Sequence, residues 1–135
     1  MFDKVVEWLE EAADGEAGGY SDLDVRTAVA ALYYHMIEVD GVVTLDEMTR
    51  FSNILQSQFD LPEEKVRELV ARGADNDRNS PGLFPFTVIL NHEFSKGKRA
   101  EIVDRLAELA DSDGHRAGVE IELIDHIRQL LKLDD

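Results

Sequence analysis

Apolar residues recur at helical spacing along almost the whole chain, and this constrains the fold more than any other feature. Val25, Val29, Leu32, Tyr33, Met36 and Ile37 share one helical face. Met48, Phe51, Ile54 and Leu55 form a second stripe, and Val66, Leu69 and Val70 a third. Phe86, Ile89, Leu90 and Phe94 give a short, strongly apolar helix after Pro85. Ile102, Val103, Leu106, Leu109 and Ala110 follow, then Val119, Ile121, Ile124, Ile127, Leu130 and Leu131. Val5, Trp8, Leu9 and Ala12 mark a helix at the start. No segment alternates convincingly as a strand does. Val42-Val43-Thr44 is a short run, and Thr87-Val88-Ile89 sits inside helical spacing. The pattern predicts an all-α, single-domain bundle of about seven helices.

Punctuation residues place the joints. A Gly-rich break covers 14–19, and Ser21 with Asp24 three residues on opens the second helix as a capping box. Asp40-Gly41 ends that helix, and Thr44-Leu45-Asp46-Glu47 caps the next. Pro62 stands in the first turn of the fourth, where a missing N–H costs nothing. Gly73 is expected to stop that helix, 76–82 to be loop, and Lys96-Gly97-Lys98 to be a turn.

Composition excludes several functions. The chain has 135 residues, 29 acidic against 14 basic, for a net charge of −15. Nucleic-acid binding needs a positive face, so no nucleic-acid partner is expected. With no cysteine, disulfides, thiol catalysis and Cys-type zinc sites are ruled out. No apolar run approaches 18 residues and the start is charged throughout, so no direct membrane insertion and a cytoplasmic location are expected. Cations and basic protein surfaces are the partners that such a charge attracts.

The chain also repeats itself. Residues 38–47 read E-V-D-G-V-V-T-L-D-E, and 111–120 read D-S-D-G-H-R-A-G-V-E, at an offset of 73. Glu38 pairs with Asp111, Asp40 with Asp113, Gly41 with Gly114 and Glu47 with Glu120. Tyr33, Met36, Met48, Phe51 and Ile54 meet apolar partners at the same offset. Each unit is an apolar helix, an acid-x-Asp-Gly turn, a glutamate and a second apolar helix. A helical hairpin cannot bury its face alone, so the two units are expected to pack together.

The nearest motif with a mechanism is the calcium loop D-x-[DN]-x-[DN]-G-x5-E, but its first ligand position holds Met36 or Leu109. An EF-hand is therefore rejected, and a shorter oxygen-ligand site remains. Its candidates are Asp40, Glu47, Asp113 and Glu120, with Glu38 and Asp111 next. Capping alone explains Glu47, and a turn alone explains Gly41. Glu38, Asp40, Asp111 and Asp113 lie at helix C-termini. The helix dipole disfavours an acid there by about 0.3–1 kcal/mol, and a divalent cation would reverse that cost.

Other constellations fail. His92-Glu93 begins H-E-x-x-H, but position 96 is lysine. His35 and His126 sit among apolar neighbours, where packing or solvent-facing roles are expected. Trp8, Phe84, Phe86 and Phe94 are expected in the core. No phosphate loop, nucleophile elbow or Ser-His-Asp order is visible, so no enzyme is expected.

The two units, with L-F-P-F-T-V-I-L-N-H-E-F at 83–94 and K-R-A-E-I-V-D-R-L-A-E-L-A-D-S-D-G at 98–114, resemble the TerB-like tellurite-resistance family. The N-terminal domain of a DnaJ-like membrane co-chaperone has a similar fold. The resemblance covers about residues 22–133. It implies a single TerB-like domain over 1–135, with an N-terminal helix and linker in 1–20 and repeat units at about 22–59 and 98–133. It also implies metal binding in the acidic turns, at Asp40, Glu47, Asp113 and Glu120. Many relatives carry an Asp four residues after the turn Asp, where this chain has Thr44 and Ala117. Two functions are expected. One is a stress-response module holding a divalent cation, calcium favoured because the ligands are hard oxygens. The alternative is a metal-free acidic adaptor for a basic or membrane-associated protein.

Overall fold

Six α-helices carry the chain in a computed structural model that describes residues 20–39, 41–110 and 118–133. They are α1 (Asp22–Glu38), α2 (Leu45–Phe59), α3 (Glu63–Arg78), α4 (Phe84–Glu93), α5 (Lys96–Ala110) and α6 (Gly118–Leu130). Among the described residues there is no strand. Among the described residues the count is six, where about seven are expected over the whole chain, and the helix expected around Val5 to Ala12 lies outside them.

Helix α1 is the axis of the bundle. Ala28, Val29, Ala30, Ala31, Leu32 and Tyr33 are all fully buried, so every side of the helix is covered. A helix that is apolar all round belongs in the middle of a core. Helices α2, α3, α4 and α5 pack around it. Tyr33 and Phe51 meet edge to face at 6.5 Å, and the Tyr33 hydroxyl donates to Gln58 Oε1 at 2.7 Å, so even the buried phenol is satisfied.

The run of alanines in α1 lets α3 come close. A Cβ placed on Gly73 would stand 2.6 Å from Ala30 Cβ and 2.8 Å from the Ala30 carbonyl carbon. Gly73 is therefore a point of helix contact and not a stop. The expectation that α3 ends there fails, because the close approach outweighs the roughly 0.5–1 kcal/mol that glycine costs inside a helix. Helix α3 runs on into the expected loop as far as Arg78, and 79–82 remain outside a helix.

Three further expectations are corrected. Lys96-Gly97-Lys98 is the first turn of α5, where Ser95 Oγ accepts from the Lys98 N–H at 3.3 Å as a capping hydroxyl does. Phe84 is 63% exposed, while Phe86 is fully buried and Phe94 partly so. The buried face of α6 is Leu123 and Ile127, continued by Leu131, whereas Val119 and Ile121 face outward. The far end of α6 is pinned by other helices. Asn91 Nδ2 donates to the Leu130 carbonyl at 2.9 Å and Arg99 Nη1 to the Leu131 carbonyl at 2.6 Å. These bonds satisfy carbonyls that a helix C-terminus leaves without partners.

Both expected capping boxes form. Ser21 accepts from Asp24 N–H and Thr44 from Glu47 N–H, each at 3.1 Å, with the acid reaching back in return. No helix of the described residues is long and apolar enough to cross a membrane.

Candidate metal site at the ends of α1 and α3

The last turn of α1 places His35 and Glu38 three residues apart, on the same helical face. The close crossing at Ala30 and Gly73 then sets what stands opposite. One turn beyond Gly73, α3 delivers Asp77 to the same point. His35 Nδ1 lies 2.9 Å from Asp77 Oδ1 and 3.7 Å from Glu38 Oε1. One ligating atom from each of the three residues falls within 4.8 Å of the others. Among the described residues this is the group of three metal-ligating side chains that converges.

The three differ in exposure, and the difference matters. The Asp77 side chain is only 3% exposed, against 31% for His35 and 34% for Glu38. One Asp77 oxygen meets His35, but the other, Oδ2, is buried with no hydrogen-bond partner. A buried carboxylate oxygen left unpaired is expensive, on the order of 1–3 kcal/mol or more for a charged group. Arg78, the next residue, does not relieve it. Its guanidinium donates to the Tyr34 hydroxyl at 3.1 Å and lies 5.4 Å from that ring's centroid.

Titration reflects the crowding. His35 holds its proton above the usual imidazole range, chiefly through the hydrogen bond with Asp77; the Asp77 and Glu38 charges add to this against the opposing effect of burial. Glu38 is pushed above the usual carboxylate range by burial first, then by its hydrogen bond with Asp77 and that group's charge, while His35 and Arg78 pull the other way. The cluster favours positive charge, whether from protons or from a cation.

Of the residues expected from sequence, Glu38 belongs to this cluster. Glu47 does not. It is buried at the start of α2, where Oε1 accepts from the Thr44 N–H at 2.9 Å and from the Thr44 hydroxyl at 3.1 Å. Glu120 is buried as the third residue of α6, the place that Glu47 holds in α2. Asp40, Asp111 and Asp113 lie outside the described residues. Gly41 has φ +87°, and its N–H donates to the Glu38 carbonyl at 2.9 Å.

His35 and Asp77 escaped the sequence reading. Sequence spacing alone puts His35 in packing or solvent, and Asp77 in a loop. The signal was present in the helical period: Val66, Leu69, Gly73 and Asp77 are spaced three, four and four apart, along one face. Reading Gly73 as part of that stripe would have carried it to Asp77.

A second feature is an open groove of about 1190 Å³ along α1, α2 and α5. Asp22, Asp46, Glu93, Glu101 and Glu108 line it, alternating with Arg26, Arg50, Lys98 and Arg105. His35, Glu38 and Asp77 are not part of it.

Among the described residues, five helices and a buried central one, with a mixed imidazole and carboxylate cluster where two of them end, define a small all-helical domain. The family described as tellurite resistance protein TerB matches residues 26–135, most of the chain, and the chain belongs to that family. No curated protein and no solved structure matches it.

Proposed function

We propose that this chain is a non-enzymatic TerB module of stress response that binds a divalent cation at the acidic joint where α1 ends. The observation that carries the reading is the buried Asp77 carboxylate, whose Oδ2 is unpaired inside a cluster of three ligating side chains. Each element of the joint favours a cation. Two helices bring their negative C-terminal ends together there, and both bring a carboxylate with them. Asp40 follows Glu38 by two residues, in a turn whose acids recur at Asp111 and Asp113. Sequence repetition therefore supports an acidic joint in the second unit as well, through Glu120.

Thermal unfolding of metal-stripped protein tests this. A divalent ion at a hundred times its dissociation constant stabilises by about 2.7 kcal/mol, or roughly 10 °C in a domain of this size. The gain is expected to shrink in Glu38→Gln. A melting temperature unmoved by every divalent ion at millimolar concentration sinks the reading.

The charged groove favours a second reading. Five acids and four basic residues line it, a pattern suited to a protein segment carrying basic side chains. A metal-free adaptor of this kind would retain its partner in EDTA and release it as salt rises. Loss of the partner in EDTA would reject it.

A further inference from the structure

Calcium is the ion that the turn sequence alone suggests, yet the residues gathered at the joint are not calcium ligands. Calcium takes six to eight oxygen ligands at about 2.3–2.6 Å. Here the described donors are one imidazole nitrogen and two carboxylates. Imidazole suits zinc and the neighbouring first-row ions, and affinity along that row rises well above that of the hard alkaline-earth ions.

The geometry is within a small side-chain adjustment of what a small ion needs. Donors around one ion at about 2.0–2.2 Å stand roughly 3–4.4 Å from each other. His35 Nδ1 is 2.9 Å from Asp77 Oδ1 and 3.7 Å from Glu38 Oε1, so a modest swing of the half-exposed Glu38 completes the set. The ligands come from two helices that the Gly73–Ala30 contact locks together, so the site is held by backbone packing and not by a loop. Asp77 is more than nine-tenths buried and unpartnered at Oδ2, and a bound cation is what that oxygen lacks.

We propose that His35, Glu38 and Asp77 form a site for a borderline first-row divalent ion, zinc above all, in preference to calcium. The inference rests on the cation-binding reading above and narrows it to an ion class. Three protein donors leave room for water on the exposed side, as zinc with three protein ligands commonly has.

The test is calorimetric titration of the metal-stripped full chain with zinc chloride and, separately, calcium chloride. Cobalt(II) serves as a spectroscopic stand-in for zinc. One zinc per chain is expected, bound at least tenfold more tightly than calcium. Cobalt is expected to give visible absorption bands that zinc abolishes. His35→Gln should weaken zinc at least tenfold and remove the cobalt bands, and its melting temperature read with and without zinc separates that loss from any change in metal-free stability. Glu38→Gln is the second variant, with a smaller loss in the same direction. Calcium binding as tight as zinc, unaltered by His35→Gln, overturns the ion class and leaves the broader reading standing. Zinc binding that neither variant weakens places the ion elsewhere and overturns the site. Binding of neither ion overturns both.

Discussion

Two buried carboxylates at helix ends, Glu47 and Asp77, have nearly equal burial and opposite circumstances. Glu47 is 5% exposed and sits at the start of α2, where the dipole is positive and Thr44 offers it an N–H and a hydroxyl. Asp77 is 7% exposed and sits in the last turn of α3, where the dipole is negative. Its carboxylate faces His35 and Glu38, and its Oδ2 has no hydrogen-bond partner. Burial of an acid is therefore no sign of function by itself. What separates the two is whether the protein satisfies the acid, and an unsatisfied group that persists in a packed domain points to a partner outside the chain.

The comparison is most easily broken at Gly73. A methyl group there meets the α1 backbone at Ala30, so α3 must move outward and take Asp77 with it. Overpacking of this kind costs about 1–3 kcal/mol, less the small propensity gain of replacing glycine in a helix. Gly73→Ala is expected to lower the melting temperature by roughly 4–5 °C and also to weaken zinc, as followed by differential scanning calorimetry with and without the ion. A variant as stable as the parent, or one with unchanged zinc affinity, would show that the crossing does not position the site. Glu47→Ala is the matching change at the other carboxylate. It removes half of a capping box, at a cost of about 1 kcal/mol, and should leave the zinc-induced rise in melting temperature intact. Loss of that rise would assign Glu47 to the metal after all.

The same contrast explains how much the sequence made legible. Local chemistry was readable: Ser21 with Asp24 and Thr44 with Glu47 lie within one turn, and each box forms where its motif stands. Helix α2 was readable because one face is decisively apolar, and α1 because its apolar residues run all round it. Asp77 was not, because its role depends on what lies opposite it 42 residues earlier, at His35. Gly73 concealed it further. In sequence a glycine has the same appearance at a helix end as at a tight crossing, and only the neighbouring Ala30 distinguishes the two. The outward turn of Val119 and Ile121 was hidden for a similar reason. Helix α6 packs on α4 and α5, and their surfaces select Leu123 and Ile127 over the stripe that spacing alone suggested.

The smallest expected effect on stability is the most informative. Asp77→Asn keeps the shape of the side chain and removes the charge that burial opposes. In the metal-free protein it also ends the crowding with Glu38, and His35, 31% exposed, is free to turn to water. The net change in unfolding free energy is expected to be under about 1 kcal/mol, below that of Glu47→Ala, although Asp77 is nearly as buried. Zinc should then fail to raise the melting temperature of Asp77→Asn while still raising that of Glu47→Ala. Chemical denaturation with and without zinc measures both terms on the same samples. If Asp77→Asn proves the more damaging of the two without metal, its carboxylate is a structural partner of His35, and the unpaired oxygen carries no ligand. If it is nearly silent without metal and decisive with it, the joint of α1 and α3 is retained for binding at the expense of stability, as functional sites commonly are.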